Sequence, residues 1–198
     1  EEFGADAIRY FLLREITLGL DGNFNRDALI QRINADLAND LGNLLHRTLN
    51  MIGKFQKKIL LPPTECTALD KSFCAEAVDT AREYRKLMEN IQLSDAVKLV
   101  WKFIGRANKY IDETMPWKLA KDAAQAQELA NVLYNLAESL RIISILIAPF
   151  MPATAQKICD QLKISPELKL DEAEVFGLLE LNHEVGKPEQ LFPRIITD

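Results

Sequence analysis

The apolar residues of this chain recur every three or four positions over long stretches, and this period constrains the fold more than any other feature. The longest stretch follows Asn25 and continues to about Lys54. Its inward positions are Leu29, Ile33, Leu37, Leu41, Leu44, Leu45, Thr48 and Ile52. Such spacing places one face of a helix against a core. Because no strand segments alternate with the helical ones, we predict an all-α fold built as an antiparallel helix bundle.

Capping residues and prolines give the predicted helix boundaries. Asn25 is the expected N-cap of the long helix, Ser94 that of a later helix, and Pro116 marks the end of this later helix. The predicted helices cover residues 5–15, 25–54, 69–91, 94–116, 124–148, 153–162 and 172–180, with a turn segment from Leu18 to Phe24 and an extended tail at the end.

Composition excludes several classes of protein. The 198 residues are 48% hydrophobic and 27% charged, which is typical of a compact domain and excludes disorder or a collagen-like repeat. The formal net charge of −5 argues against a histone-like polycation. Three cysteines without CxxC spacing argue against a disulfide framework, so we expect a cytoplasmic protein.

The longest apolar run covers residues 142–151 and is interrupted by prolines. A membrane span needs about 20 apolar residues, so we expect a buried helix there and no membrane partner. The chain opens without an initiator methionine and in the middle of a helical pattern. We therefore expect a piece of a longer protein.

Residues that could carry catalysis are few. The chain has two histidines and no Gly-rich phosphate loop, which leaves little for acid–base or nucleophilic chemistry. Glu180 and His183 form one ExxH pair, whereas a di-iron bundle needs two such pairs and two further glutamates. His46 has Asn43 in the position that a second pair would need as Glu. We expect neither catalytic residues nor a metal site.

Basic residues are concentrated on one predicted helix. Residues 93–121 hold six Lys or Arg against three Asp or Glu, whereas residues 122–198 hold six against twelve. Four of these cations share one helix face, hereafter the basic stripe: Lys98, Lys102, Arg106 and Lys109. The basic stripe is either an ordinary solvated face or a track for a nucleic-acid backbone.

The long helix also carries an unusual polar side, which consists of Asp36, Asn39, Asp40, Asn43, Arg47 and Asn50. Asparagine is unfavourable inside helices, so the cluster indicates hydrogen bonds either to a neighbouring helix or to a ligand. Asn43 and Arg47 stand one turn apart and could together address the donor and acceptor edge of a nucleobase.

Two tryptophans have different expected environments. Trp117 follows Pro116, where a helix should end, and Lys118 and Lys121 accompany it. An outward aromatic ring at this point could stack on a single-stranded base, although periodicity alone favours a place in the core. Trp101 lies within an apolar stripe and is expected in the core.

Four segments resemble methionyl-tRNA synthetases, which are class I enzymes, and most closely the bacterial form. FGADAIRYFLLRE resembles the segment after the KMSKS loop of the catalytic domain, and DGNFNRDALIQRINADLANDLGNLLHRT resembles the junction and the first anticodon-domain helix. ANKYIDETMPWKLAK is the most specific segment, and LFPRI is similar to the end of the family's core. The similarity covers nearly the whole chain.

The resemblance implies a bundle of the class I synthetase anticodon-binding type, which reads the CAU anticodon of initiator and elongator methionine tRNAs. The family's reading residues match Asn43, Arg47 and Trp117 with its neighbour Pro116. The basic stripe has no matched role and is a candidate contact to the RNA backbone. The implied domains are the end of the catalytic domain (1–24), the anticodon-binding bundle (25–165) and a short helix and tail packing on it (166–198).

The chain lacks the HIGH-type and KMSKS-type motifs and the cysteine knuckles that can bind zinc in the family. The resemblance therefore places ATP, zinc and aminoacylation in an upstream catalytic domain, which is the expected partner together with tRNA, and implies no DNA partner. One alternative is the bundle of another class I synthetase, against which the PW pair with Asn43 and Arg47 argues. The other is a helical protein-interaction module with the acidic C-terminal third as its partner surface.

Overall fold

A computed structural model of the chain describes residues 2–16, 24–166 and 169–196. Its helices are α1 (Ala5–Glu15), α2 (Arg26–Arg32), α3 (Asn43–Gln56), α4 (Ala68–Glu89), α5 (Leu93–Thr114), α6 (Pro116–Leu119), α7 (Ala126–Ile147), α8 (Pro152–Leu162) and α9 (Leu170–Ala173). A π-helical segment (Ile33–Gly42) joins α2 to α3, and a 3₁₀ turn (Ala123–Gln125) precedes α7. Within the described residues, β pairing is limited to one bridge between Ile59 and Glu184. The prediction of an all-α bundle is confirmed.

Helix α7 forms the centre of the bundle. Its residues from Leu129 to Ile147 are all buried, and α4, α5 and α8 pack around it. The stretch Ala123–Ile147 is long and apolar enough to cross a membrane by length and composition alone, but its most apolar part of 18 residues is buried inside the protein. The expectation of a buried helix in the apolar run is therefore confirmed for the part that lies in α7.

The predicted helix starts are partly confirmed. The Asn25 side chain accepts hydrogen bonds from the backbone N–H groups of Asp27 (2.9 Å) and Ala28 (3.3 Å), as an N-cap does. Ser94 is not an N-cap, because α5 begins one residue earlier and the Ser94 hydroxyl donates instead to the carbonyl of Arg14 (3.0 Å). This contact ties α5 to the end of α1.

Two other predictions differ from the structure or fall outside it. The last short helix, expected over 172–180, is Leu170–Ala173. The turn segment from Leu18 to Phe24 lies, except for Phe24, outside the described residues.

The π-helical segment changes which side chains face the core. Hydrogen bonds in a π-helix run from residue i to i+5, so a helical wheel of about 3.6 residues per turn misplaces the polar side. Asp36, which we predicted on the polar face, is buried. Its carboxylate accepts a hydrogen bond from the Tyr10 hydroxyl (2.6 Å) and lies 3.2 Å from the guanidinium of Arg14. Its backbone carbonyl accepts one from the indole of Trp101 (3.2 Å).

The C-terminal segment (residues 169–196) is attached to the bundle at several places. The fully buried Glu138 carboxylate accepts hydrogen bonds from the backbone N–H groups of residues 177–179. Further along, the Asn34 amide donates to the carbonyl of Ile195 (2.9 Å) and accepts from its N–H (2.8 Å). The contacts of Ile195 place this part of the C-terminal segment along the π-helical segment.

Candidate nucleic-acid interface

The turn between α5 and α6 presents Trp117 to solvent. Met115 ends α5 in the left-handed region (φ 47°), and Pro116 then begins α6, where its missing N–H costs no hydrogen bond. Pro116 and Leu119 point into the bundle, whereas the Trp117 side chain is 40% exposed. Trp101 is 5% exposed, which confirms its place in the core. The ring of Trp117 is thus available for stacking.

Arg47 connects α3 to this ring. Its guanidinium carbon lies 5.9 Å from the centroid of the Trp117 ring, and its Nη2 donates to the carboxylate of Asp112 on α5 (2.9 Å). The ion pair between Arg47 and Asp112 remains accessible to solvent, since the Asp112 side chain is 64% exposed. Arg47 is therefore oriented by two neighbours and keeps N–H donors for a ligand.

Asn43 completes the arrangement one helical turn before Arg47. Its side chain is exposed, and the described part of the structure gives its amide no hydrogen-bond partner. Asn43, Arg47, Asp112 and Trp117, hereafter the Trp117 surface, therefore offer an aromatic face, guanidinium donors and an amide that both donates and accepts. These groups can stack a nucleobase and bind its hydrogen-bonding edge.

The other asparagines of the polar side have partners within the protein. The Asn39 amide oxygen accepts hydrogen bonds from Arg194 of the C-terminal segment. The Asn50 amide nitrogen lies 3.1 Å from Nδ1 of His46. Asn39 and Asn50 therefore form hydrogen bonds within the protein, as one interpretation of the asparagine cluster predicts. The Asn43 amide has no such partner among the described residues and is available to a ligand, as the other interpretation predicts.

The basic stripe is less free than its sequence indicates. Arg106 bridges α5 to Glu76 of α4 (3.2 Å) and also contacts Glu113 (3.1 Å). Lys109 shares Glu113 (3.5 Å), and Lys98 lies 3.8 Å from Asp95. Among the described residues, Lys102 is the stripe's cation without a carboxylate within 4.0 Å, and its side chain is exposed. A role of the stripe along an RNA backbone stays a prediction that rests mainly on Lys102.

Asp112 was not among the residues chosen from the sequence. Its position on α5 is polar and unremarkable, and its significance depends on the side-by-side packing of α3 and α5, which the sequence does not specify. The available signal was a pair of adjacent carboxylates, Asp112 and Glu113, shortly before Trp117 in an otherwise basic region.

Candidate metal ligands and nucleophiles do not gather into a site. Over residues 2–16, 24–166 and 169–196, no three His, Cys, Asp or Glu side chains are placed to hold a metal ion. Nε2 of His183 is hydrogen-bonded to the carbonyl of Leu162 (2.6 Å). Burial raises the pKa of the Cys74 thiol to about 12 and also raises that of Cys159. Both thiols are therefore poor nucleophiles at neutral pH.

Comparison with known proteins gives the family. Residues 62–198 match the sequence model of the anticodon binding domain of methionyl tRNA ligase, and residues 1–49 match that of class I tRNA synthetases (M). The methionine–tRNA ligase of Caldanaerobacter subterraneus subsp. tengcongensis is 51% identical over 195 residues, which cover 98% of this chain and 31% of the relative. That of Bacillus subtilis is 48% identical over 198 residues, with 98% and 30% covered.

Solved structures agree with these relatives. The apo form of Mycobacterium tuberculosis methionyl-tRNA synthetase has a TM-score of 0.92 at 35% sequence identity, covering 99% of this chain and 40% of that one. The chain spans about a third of the length of the curated relatives it matches. The resemblance found in the motifs is confirmed, and the chain belongs to the methionyl-tRNA ligase family, with residues 62–198 matching its anticodon-binding domain.

Proposed function

We propose that this chain is the RNA-reading part of a methionyl-tRNA ligase and binds the CAU anticodon of initiator and elongator methionine tRNAs. The observation that carries the proposal is the Trp117 surface, where an exposed indole, an oriented arginine and an unpartnered asparagine lie together. Proteins that read single-stranded RNA stack unpaired bases on aromatic rings and bind their Watson–Crick edges.

In this proposal each residue of the Trp117 surface has a separate task. Trp117 provides the stacking face for an unstacked anticodon base. Arg47 donates to the acceptors of the cytosine, while the Asn43 amide supplies a donor and an acceptor to the same edge. Asp112 holds one side of the Arg47 guanidinium, which limits the directions in which its free N–H groups point.

The chemistry of aminoacylation belongs, in this proposal, to the rest of a longer protein. The chain carries no Gly-rich phosphate loop and no HIGH-type or KMSKS-type motif, so ATP and any zinc would bind in the catalytic part. We expect the isolated chain to show neither methionine-dependent ATP–pyrophosphate exchange nor aminoacylation. Free, unpaired cysteines fit a reducing cytoplasm.

Binding of RNA stem-loops tests the proposal. The chain is titrated with a stem-loop carrying CAU and with loops in which only the cytosine is replaced, at fixed salt. We expect tighter binding of the CAU loop, with low absolute affinity because contacts from the catalytic part are missing. Equal binding of all loops by a folded chain would contradict the anticodon assignment and favour a protein-interaction module.

A further inference from the structure

A groove of about 700 Å³ lies beside Asn43, between the start of α3 and the C-terminal segment. Its polar and aromatic lining consists of Asn39, Asn43, His46, Gln190, Phe192 and Arg194. Among the residues that the structure describes, no carboxylate lines this groove, although the chain as a whole carries a net charge of −5. The lining therefore differs in charge from most of the surface and favours an anionic or neutral polar ligand.

Arg194 is the main reason to expect an anion. Nine of the chain's ten arginines lie within 4.0 Å of a carboxylate in the described part of the structure, and Arg194 is the exception there. Its Nε and Nη2 donate instead to the amide oxygen of Asn39 (3.0 Å for Nε). A neutral partner fixes the direction of the guanidinium without cancelling its charge, which leaves the remaining donors ready for a charged acceptor.

The backbone around Arg194 is held in place on both sides of the groove. The N–H of Glu189 donates to the side chain of Gln161 (2.7 Å), and Ile195 exchanges two hydrogen bonds with Asn34. The residues between these anchors are therefore positioned before any ligand binds, which lowers the entropy cost of binding.

We infer that this groove binds the sugar-phosphate backbone of the RNA strand next to the base read at Asn43, with Arg194 contacting a phosphate. This inference rests on the proposed function and extends it, because Asn43 belongs both to the groove and to the Trp117 surface. Phe192 is half-buried and offers an apolar face to a ribose or base beside that phosphate. The C-terminal segment thus forms one wall of the RNA-binding site.

The test combines charge variants with chemically altered RNA. Arg194→Gln retains an amide that can bond to Asn39 but removes the charge, whereas Arg194→Lys retains the charge. In a CAU stem-loop, single phosphates near the cytosine are replaced one at a time by neutral methylphosphonates. We expect Arg194→Gln to weaken binding about tenfold and to reduce the slope of log K against log salt by about 0.7. Arg194→Lys should keep most of that slope.

One linkage should identify the contact. We expect its methylphosphonate to weaken binding by the wild-type chain but not by Arg194→Gln, since the interaction is already absent. Lys187→Gln removes a charge from the same segment outside the groove, so it should leave the dependence on this linkage unchanged. Asn34→Ala loosens the C-terminal segment but keeps Arg194. The methylphosphonate at this linkage should therefore still weaken binding by this variant.

The outcomes separate this inference from the proposed function. If the wild-type chain prefers CAU but Arg194→Gln has the same salt slope and the same methylphosphonate profile, the groove does not bind the backbone and only this inference fails. If the wild-type chain shows no preference for CAU, the proposed function fails and this inference fails with it. Hydrogen exchange at the Ile195 N–H shows whether the C-terminal segment stays docked in each variant.

Discussion

Two arginine–carboxylate pairs in this chain use the same chemistry in opposite surroundings. Glu138 and Arg141 on α7 form a buried pair (2.6 Å) with side-chain exposures of 0% and 8%. Arg47 and Asp112 form a pair of similar length (2.9 Å) across α3 and α5, but both side chains reach solvent. The difference shows which arginine is committed to the fold and which is available to a ligand.

The buried pair makes several further hydrogen bonds within the protein. Both carboxylate oxygens of Glu138 accept backbone N–H groups of residues 177–179, and Arg141 Nη2 also donates to the carbonyls of Glu172 (3.1 Å) and Val175 (2.8 Å). Turning Arg141 Nη2 to a ligand would break two of the hydrogen bonds that attach the C-terminal segment. Arg47, in contrast, can exchange or share its partner at low cost because water already solvates the pair.

Breaking the buried pair should have the largest effect on the protein. Arg141→Met keeps an unbranched side chain but leaves Glu138 charged and without its cation, so we expect a loss of about 3–5 kcal/mol in the free energy of unfolding. Urea denaturation measures this loss, and hydrogen exchange at residues 177–179 should increase. The matched control is Arg85→Met, which removes a half-buried arginine paired with Asp171 and Glu174 of the same segment. Equal losses for the two variants would contradict the special role of burial.

Substitutions of the two tryptophans should give the next largest effects. We expect the Trp117 variant to lose RNA binding and the Trp101 variant to lose stability. Trp117→Ala removes an exposed ring, so stability should hardly change while binding of the CAU loop weakens by about ten- to a hundredfold, the value of one base–aromatic stack. Trp101→Ala should instead reduce the free energy of unfolding by about 3–5 kcal/mol. Filter binding or fluorescence titration measures the affinity for the CAU loop, and denaturation of the same preparations measures the free energy of unfolding. Wild-type binding by folded Trp117→Ala would refute the stacking role.

Arg47→Lys is a finer test of the exposed pair. Lysine retains the positive charge but not the planar fork of donors, so attraction for RNA should persist while the preference for CAU over altered loops falls by about fivefold, or about 1 kcal/mol. Asn43→Ala should also reduce the preference. Lys102→Ala on α5 serves as the control, since it should weaken all loops alike and flatten the salt dependence. A lysine variant with full selectivity would show that Arg47 acts only through its charge.

The sequence was sufficient for features that depend on local periodicity. Helical spacing located the long helices, and Asn25 capped one of them as expected. The sequence was insufficient for contacts between helices. The Ser94 hydroxyl donates a hydrogen bond to a carbonyl of α1, and Arg106 forms an ion pair with a glutamate on α4. Asp36 faces inward because the π-helical segment changes the period within a continuous helix, which a fixed wheel cannot show.

The same limit applies to the candidate site. The resemblance supplied Asn43, Arg47 and Trp117, which are separated by up to 74 positions in the sequence, and the structure shows the contact between two of them. Asp112 lies in the ANKYIDETMPWKLAK segment and Arg194 in LFPRI, but neither segment marks these two residues as part of the candidate site. Their importance arises from what α3 and the C-terminal segment bring next to them, and that is a property of packing.

The smallest effect should come from Asp112→Asn, which tests whether the exposed pair orients Arg47 or weakens its attraction for RNA. The amide can still accept a hydrogen bond from Arg47, so the free energy of unfolding should change by no more than about 1 kcal/mol. Loss of the negative charge removes repulsion of the phosphates, so affinity for every loop should rise about two- to threefold at low salt. Because the guanidinium is then held less firmly, the altered loops should gain more than CAU and selectivity should fall. Asp79→Asn, which alters an exposed carboxylate paired with Arg82 on α4, changes the net charge equally. Identical titrations for Asp112→Asn and Asp79→Asn would mean that Asp112 contributes only to the overall charge.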